Sequence, residues 1–120
     1  MLKKALALNP NNAFILDSWG WYLYSTGKIN EAVVELEKAH SLKPKETVIL
    51  DHLGDAYVKL NLRKKALKKY KDALGNTVED ETKKSLVEKI KVLEDQLAQE
   101  TDPYSIPQQE DREIASEPKN

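Results

Sequence analysis

The strongest constraint on this chain is a repetition at an offset of 34 residues. Gly20 recurs as Gly54, and the run Ile15-Leu16-Asp17 recurs as Ile49-Leu50-Asp51. Three further matches are Ala32 with Ala66, Ala39 with Ala73, and Pro10 with Pro44. Small and large apolar residues that recur together at this period predict stacked helical hairpins rather than one globular core. Such a stack exposes a long ridged surface, so we expect it to hold another protein.

The first residues belong to the same repetition. The matches at the same offset are Leu2 with Leu36, Lys4 with Lys38, Ala5 with Ala39 and Leu8 with Leu42. Residues 1–12 are therefore predicted to be the second helix of a preceding repeat whose first helix is missing, and the chain to be the C-terminal piece of a longer protein. The apolar start stops at Asn9, which is too early for a signal peptide. The cellular compartment therefore stays undecided.

Two complete repeats follow, at residues 13–46 and 47–80. Repeat one should hold helices at 13–25 and 31–41, and repeat two at 47–60 and 63–74. We expect Asn11 or Asn12, and then Asn30, to cap helices. Gly27 and Asn61 stand where left-handed turns are needed. Gly20 and Gly54 are expected to face Ala32 and Ala66 where the helices of each hairpin cross.

These residues resemble the tetratricopeptide repeat, whose pattern is W-x2-L-G-x2-Y, then A-x3-F, A and P. Repeat one reads Leu16, Trp19, Gly20, Leu23, Ala32, Leu36, Ala39 and Pro44. Repeat two reads Leu50, Leu53, Gly54, Tyr57, Ala66, Tyr70 and Ala73, with Val78 in place of the proline. The run from Asp51 to Tyr57 is also similar to the last repeats of bacterial members. The resemblance implies an all-α, right-handed superhelical stack of antiparallel hairpins that binds proteins.

Residues 79–100 are predicted to form a capping helix. Leu86, Ile90, Leu93 and Leu97 give it one apolar stripe, which would also allow a coiled coil with a second copy. Residues 101–120 contain three prolines and five acidic residues against two basic ones, so they are predicted to be a flexible tail. The segment from Asp102 to Pro107 could alternatively be a docking motif.

In tetratricopeptide arrays the first helix of each hairpin lines a concave groove. Transferred to this sequence, that resemblance gives a candidate partner-binding groove of Phe14, Asp17, Ser18, Trp21, Tyr24, Asp51, His52 and Asp55. The three aromatic residues are expected to form an exposed ridge that anchors a peptide, unless a missing upstream helix covers them. The aspartates favour a partner with lysine or arginine. A carboxylate clamp of lysine and asparagine, typical of members that hold chaperone C-termini, is missing.

A second candidate surface is basic. It consists of Arg63, Lys64, Lys65, Lys68, Lys69 and Lys71, with Lys59 nearby. These residues could bind nucleic acid or an anionic membrane, but the solvated face of an amphipathic helix is the more ordinary interpretation. Self-association through the truncated edge or through residues 79–100 is a further alternative, as is a purely structural terminus of a larger array. His40 is expected on the surface.

Composition and motifs argue against other classes of function. Of the 120 residues, 40% are apolar and 32% are charged, and the net charge of −1 gives no general attraction to nucleic acid. The lack of cysteine excludes a disulfide framework and thiol catalysis. Asp51, His52 and Asp55 make a poor zinc site, so we expect no metal and no cofactor. No catalytic motif is present, and we expect no enzymatic activity.

Overall fold

The computed structural model describes residues 10–100 together with residues 4, 7 and 8. The part of the chain that it describes from residue 10 onward is built from helices: α1 Ala13–Ser25, α2 Ile29–Leu42, α3 Thr47–Lys59, α4 Arg63–Gly75 and α5 Asp80–Glu100. The predicted helix at residues 1–12 and the predicted tail at residues 101–120 lie outside the described residues.

Short turns fold α1 onto α2 and α3 onto α4, which makes two antiparallel hairpins. The predicted left-handed residues are confirmed, because Gly27 has φ +88° and Asn61 has φ +64°. Asn12 caps α1 by accepting hydrogen bonds from the backbone N–H groups of Phe14 and Ile15 at 3.0 and 3.1 Å. The geometry of both turns therefore follows from local sequence.

The cap predicted at Asn30 is wrong, because α2 begins one residue earlier, at Ile29. The Lys28 carbonyl accepts the first helical hydrogen bond, from Ala32 at 2.9 Å, and the Lys28 side chain makes no capping bond. Ile29 packs against the core, so burial of an apolar side chain sets the helix start in place of a cap.

The two repeat glycines are packing positions, although their main neighbours differ from those predicted. A Cβ on Gly20 would lie 2.7 and 2.9 Å from side-chain atoms of Leu36, with the Ala32 carbonyl oxygen at 3.4 Å. A Cβ on Gly54 would overlap the ring of Tyr70. Each glycine thus makes room for the large residue four positions after the alanine, and not for the alanine itself.

The core runs through both hairpins and continues under α5. Leu36, Ile49, Leu50, Leu53 and Leu86 are its largest fully buried side chains. In α5, Leu86, Ile90 and Leu93 are buried as the stripe predicted, and this helix packs along α4. A coiled coil with a second copy would need this stripe to be free, but it is already covered within the chain. That α5 ends the array remains a prediction.

Candidate partner-binding groove

The helices α1, α3 and α5 occupy equivalent places in the repetition and lie side by side. Nδ1 of His52 on α3 lies 2.7 Å from Oδ1 of Asp17 on α1. Nζ of Lys89 on α5 lies 2.8 Å from Oδ1 of Asp51 and 3.1 Å from Oδ1 of Asp55, both on α3. Polar contacts therefore join the three helices that form the candidate groove.

The aromatic residues of α1 form a stack with His52. The ring of Trp21 lies parallel to Tyr24 with centroids 4.4 Å apart, and parallel to His52 with centroids 4.0 Å apart. Two rings stacked this closely on one indole would overlap if they shared a face, so they cover both faces of Trp21. The expectation of an open ridge is wrong for Trp21, because its faces are used within the chain. Phe14, about two helical turns earlier, is exposed.

The three groove aspartates also have partners within the chain. Asp17 is only 7% exposed, and the ring N–H of His52 donates to its carboxylate. Asp51 and Asp55 share the ammonium group of Lys89 and remain half-buried. The expectation that all three carboxylates are open to a partner is therefore wrong for Asp17 and only partly met at the other two. Ser18 is exposed on the surface of α1.

Lys89 is the functional residue that the sequence reasoning missed. Hydrogen bonds to Asp51 and the charges of both carboxylates raise the pKa of Lys89, although burial, the largest single contribution, opposes its charge. The ammonium also lies 5.3 Å from the ring centroid of Tyr70. Lys89 follows Asp55 by 34 residues, so extending the repeat into α5 would have placed it beside the groove.

Asp51, Asp55 and Lys89 form an ionic cluster. The hydroxyl groups of Tyr24 and Tyr70 lie near it. Tyr70 on α4 reaches past Gly54 and donates to the Asp55 carboxylate. Burial raises the pKa of Tyr70 far above its ordinary value, and the hydrogen bond to Asp55 adds to the effect. Burial also raises the pKa of Tyr24, with a further contribution from the Asp55 charge that Lys89 partly offsets. Both hydroxyls therefore stay protonated and can donate hydrogen bonds.

The groove keeps an apolar exposed surface at equivalent positions of its helices. Val58 and Val92 follow Tyr24 in steps of 34 residues, and they are 41% and 55% exposed. Phe14 and Val48 form a second equivalent pair, 48% and 42% exposed. Because the helices lie side by side, these residues give two apolar margins with the ionic cluster between them.

The basic face of α4 is not a continuous cationic surface. Nη1 of Arg63 lies 2.7 Å from Oε2 of Glu100, and Nζ of Lys71 lies 3.2 Å from Oε2 of Glu94, so two of its members pair with α5. Other contacts of this face include Lys68 with Asp72 at 3.4 Å, Lys69 with His40 at 3.4 Å, and Lys65 with the Tyr57 ring at 5.8 Å. Lys64 is exposed beside them. α5 therefore covers part of the predicted surface.

His40 is half-buried, so the expectation of a surface position is wrong. Its Nε2 lies 3.4 Å from Nζ of Lys69, and its Nδ1 is buried with no partner among the described residues. Burial lowers the pKa of His40, and the Lys69 charge lowers it further. The contact with Lys69 of α4 joins two residues that lie 29 positions apart, so the position of His40 on its own helix did not predict it.

Metal binding and membrane insertion find no support in the described part of the chain. Within it, no three His, Asp or Glu side chains are grouped so that they could hold a metal ion. Within the same residues, none of the helices combines the length and the apolar character that crossing a bilayer requires.

Comparison with known proteins gives likeness of structure only. No protein-family model matches the sequence, and no curated protein matches it either. The solved structure of YrrB, described as a TPR protein with an unusual peptide-binding site, superposes with a TM-score of 0.73 at 21% identity over 83% of this chain. The Sgt2 TPR domain from Aspergillus fumigatus superposes with a TM-score of 0.73 at 20% identity over 88% of this chain.

The chain spans 50% of the YrrB chain and 70% of the Sgt2 domain. The likeness agrees with the element order of two hairpins followed by a further helix, with the glycines at the helix crossings, and with the left-handed turns. The chain thus has the all-α solenoid fold of tetratricopeptide repeat proteins.

Proposed function

We propose that this chain is a non-catalytic interaction module that binds a peptide segment of another protein across α1, α3 and α5. The observation that carries the proposal is the pair of exposed apolar margins at equivalent positions of these helices. Val58 and Val92 form one margin, and Phe14 and Val48 form the other. Apolar side chains that repeat along one face, with polar groups between them, are typical of surfaces that bind partners.

The charge of the groove supports a partner segment that carries lysine or arginine beside apolar residues. Asp51 and Asp55 share one ammonium group, from Lys89, and the third carboxylate, of Asp17, lies against the imidazole of His52. The excess is negative, so a cationic side chain placed between the two apolar margins would be attracted. The peptide-binding site named for YrrB adds support by structural likeness alone.

The experiment that tests the proposal changes the margins and leaves the ionic cluster intact. A phage-displayed peptide library is selected against the full chain, and the selected peptides are titrated against Val58→Glu/Val92→Glu. We expect at least a tenfold loss of affinity, because each glutamate puts a charge where an apolar side chain should bury. Binding from lysate, followed by mass spectrometry, then identifies natural partners that behave in the same way.

The matched control is Val34→Glu/Val78→Glu, which makes the same chemical change at valines that are 53% and 88% exposed and lie outside α1, α3 and α5. Binding should survive in this control. If both double variants keep the peptides equally well, or if no peptide is selected by the native chain, the groove proposal is wrong.

The alternative of nucleic-acid or membrane attachment is not favoured, because the largely buried ion pair of Arg63 with Glu100 removes one cation from the basic face. Steep loss of binding with salt would point to it, since phosphate contacts by lysine and arginine release counterions. The alternative of a structural terminus would leave the native chain without a selected peptide.

A further inference from the structure

A surface groove runs along α4, on the opposite side of the second hairpin from the proposed peptide site. Lys64, Leu67, Lys68, Lys71 and Asp72 line it. The half-buried Leu67 forms its apolar floor, and three lysines rise around it. Such a groove suits a segment that carries acidic side chains and an occasional apolar one.

Two of the three lysines of this groove, Lys68 and Lys71, form exposed ion pairs within the chain. The side chains of Lys68 and Asp72 are 72% and 42% exposed at 3.4 Å, and those of Lys71 and Glu94 are 54% and 51% exposed at 3.2 Å. Exposed pairs of this kind contribute little to stability because water competes for both charges. These lysines can therefore turn toward another carboxylate at small cost.

The chain itself brings an acidic segment to the mouth of the groove. α5 ends at Glu100, whose carboxylate lies 2.7 Å from Nη1 of Arg63, the first residue of α4. Glu100, from which residues 101–120 continue, therefore lies close to the N-terminal end of α4. The groove covers about 10 Å of helix, and ten extended residues reach about 33 Å, so the segment can span it.

The composition of residues 101–120 complements the groove. Its acidic residues are Asp102, Glu110, Asp111, Glu113 and Glu117, against the basic residues Arg112 and Lys119. Tyr104 and Ile106 supply apolar side chains for Leu67. We infer that residues 101–120 bind along α4 of the same molecule, with their carboxylates at Lys64, Lys68 and Lys71.

The chain contains no cysteine, so one introduced cysteine can carry a nitroxide label without side reactions. The labels are placed in turn at Ser105→Cys and Ser116→Cys in the full chain, and broadening of backbone amide signals is measured by NMR. We expect at least one label to broaden the amides of Lys64 to Lys71 severalfold more than those of α1. Raising the salt to about 0.5 M should reduce the difference, because screening weakens the contact.

The groove variant is Lys64→Glu/Lys68→Glu/Lys71→Glu, in which the broadening of α4 should disappear. The matched control is Lys38→Glu/Lys83→Glu/Lys84→Glu, which makes the same charge change at exposed lysines outside the groove and should keep it. The amide spectra themselves report whether each variant is folded.

Three results would overturn the inference. They are equal broadening of α1 and α4 with both labels, broadening that persists in the groove variant, and broadening of unlabelled molecules by labelled ones in a mixed sample. The last result would place the segment on a second copy. A salt-sensitive, intramolecular effect confined to α4 supports the inference.

Discussion

The two hairpins share one backbone plan but hold their parts of the groove together by different chemistry. In the first hairpin Gly20 makes room for Leu36, and the groove position that follows it carries Trp21, stacked between Tyr24 and His52. In the second hairpin Gly54 makes room for Tyr70. The groove position there is occupied by Asp55.

The size of the residue behind each glycine is linked to this difference. Leu36 ends in methyl groups and can only fill space. Tyr70 carries a hydroxyl through to the groove, where it donates to Asp55 beside Lys89. The comparison teaches that the repeat fixes the small residues at the crossing, while the large residue packed against them decides whether a hydroxyl group reaches the groove.

The glycine substitutions should separate the hairpins most strongly. In Gly54→Ala the new methyl group overlaps a rigid ring, so we expect a loss of about 2–3 kcal/mol in the free energy of unfolding, even after the better helix propensity of alanine. In Gly20→Ala it meets the flexible Leu36, and about 1 kcal/mol should be lost. Urea denaturation measures both.

The control for these variants is Gly75→Ala, because a Cβ at Gly75 meets nothing within 4 Å. It should be neutral or slightly stabilising. Equal losses in Gly20→Ala and Gly54→Ala would remove the distinction between a leucine and a tyrosine behind the glycine.

Removing Lys89 should destabilise the ionic half of the groove. Lys89→Met leaves Asp51 and Asp55 without their cation, and we expect a loss of about 1–2 kcal/mol, between the values for exposed and for buried pairs. Lys91→Met is the control, since the side chains of Lys91 and Asp95 are 76% and 69% exposed, and it should change stability by less than about 0.5 kcal/mol. A neutral Lys89→Met would show that water already solvates the two carboxylates.

Alkaline pH should lower the free energy of unfolding through the same ionic cluster of Asp51, Asp55 and Lys89. The pKa of Lys89 is raised above its ordinary 10.5, so its stabilising contribution is complete below that pH and is lost as the pH rises through the higher value in the folded state. The pKa of Tyr70 is raised above 10.0, so the unfolded chain loses this proton first, which again favours unfolding. Urea midpoints should begin to fall above about pH 10 and continue to fall toward about pH 12, less steeply in Tyr70→Phe/Lys89→Met.

Mild acid should lower the free energy of unfolding by a smaller amount. The group responsible is His40, which contacts Lys69 of the other hairpin. Burial lowers the pKa of His40 below 6.5, so its neutral form contributes stability that is present above that pH and is lost as the pH falls through the lower folded value. His40→Gln should therefore lose less stability than the native chain between pH 7 and 5, by a few tenths of a kcal/mol since the ring is partly solvated. Identical pH profiles would leave His40 without this role.

Local sequence patterns predicted the helices and the turns. They did not predict which side chains of different helices contact one another in the groove. Gly27 and Asn61 act through their own backbone angles, and the stripe of α5 follows from helical spacing alone. Contacts between residues that lie 35 or more positions apart do not follow from such local patterns. The pairing of Asp17 with His52, and of Asp51 with Lys89, depends on how far one helix is shifted along its neighbour. Periodicity does not specify that shift.

The same limit explains the open aromatic ridge that was predicted and not found. Helical spacing put Trp21 and Tyr24 on one side of α1, and in the structure these two rings stack on each other. It could not show that the imidazole of His52 would cover the second face of the indole, because that contact depends on the distance between the two helices.

The stack of Trp21 between Tyr24 and His52 also makes the contact between the two hairpins measurable by fluorescence. Indole emission depends on what lies against the ring, and here one face rests on its own helix while the other rests on α3. Any bending of the array that widens or narrows the groove must slide the imidazole across the indole. The fluorescence of Trp21 therefore reports on the curvature of this solenoid.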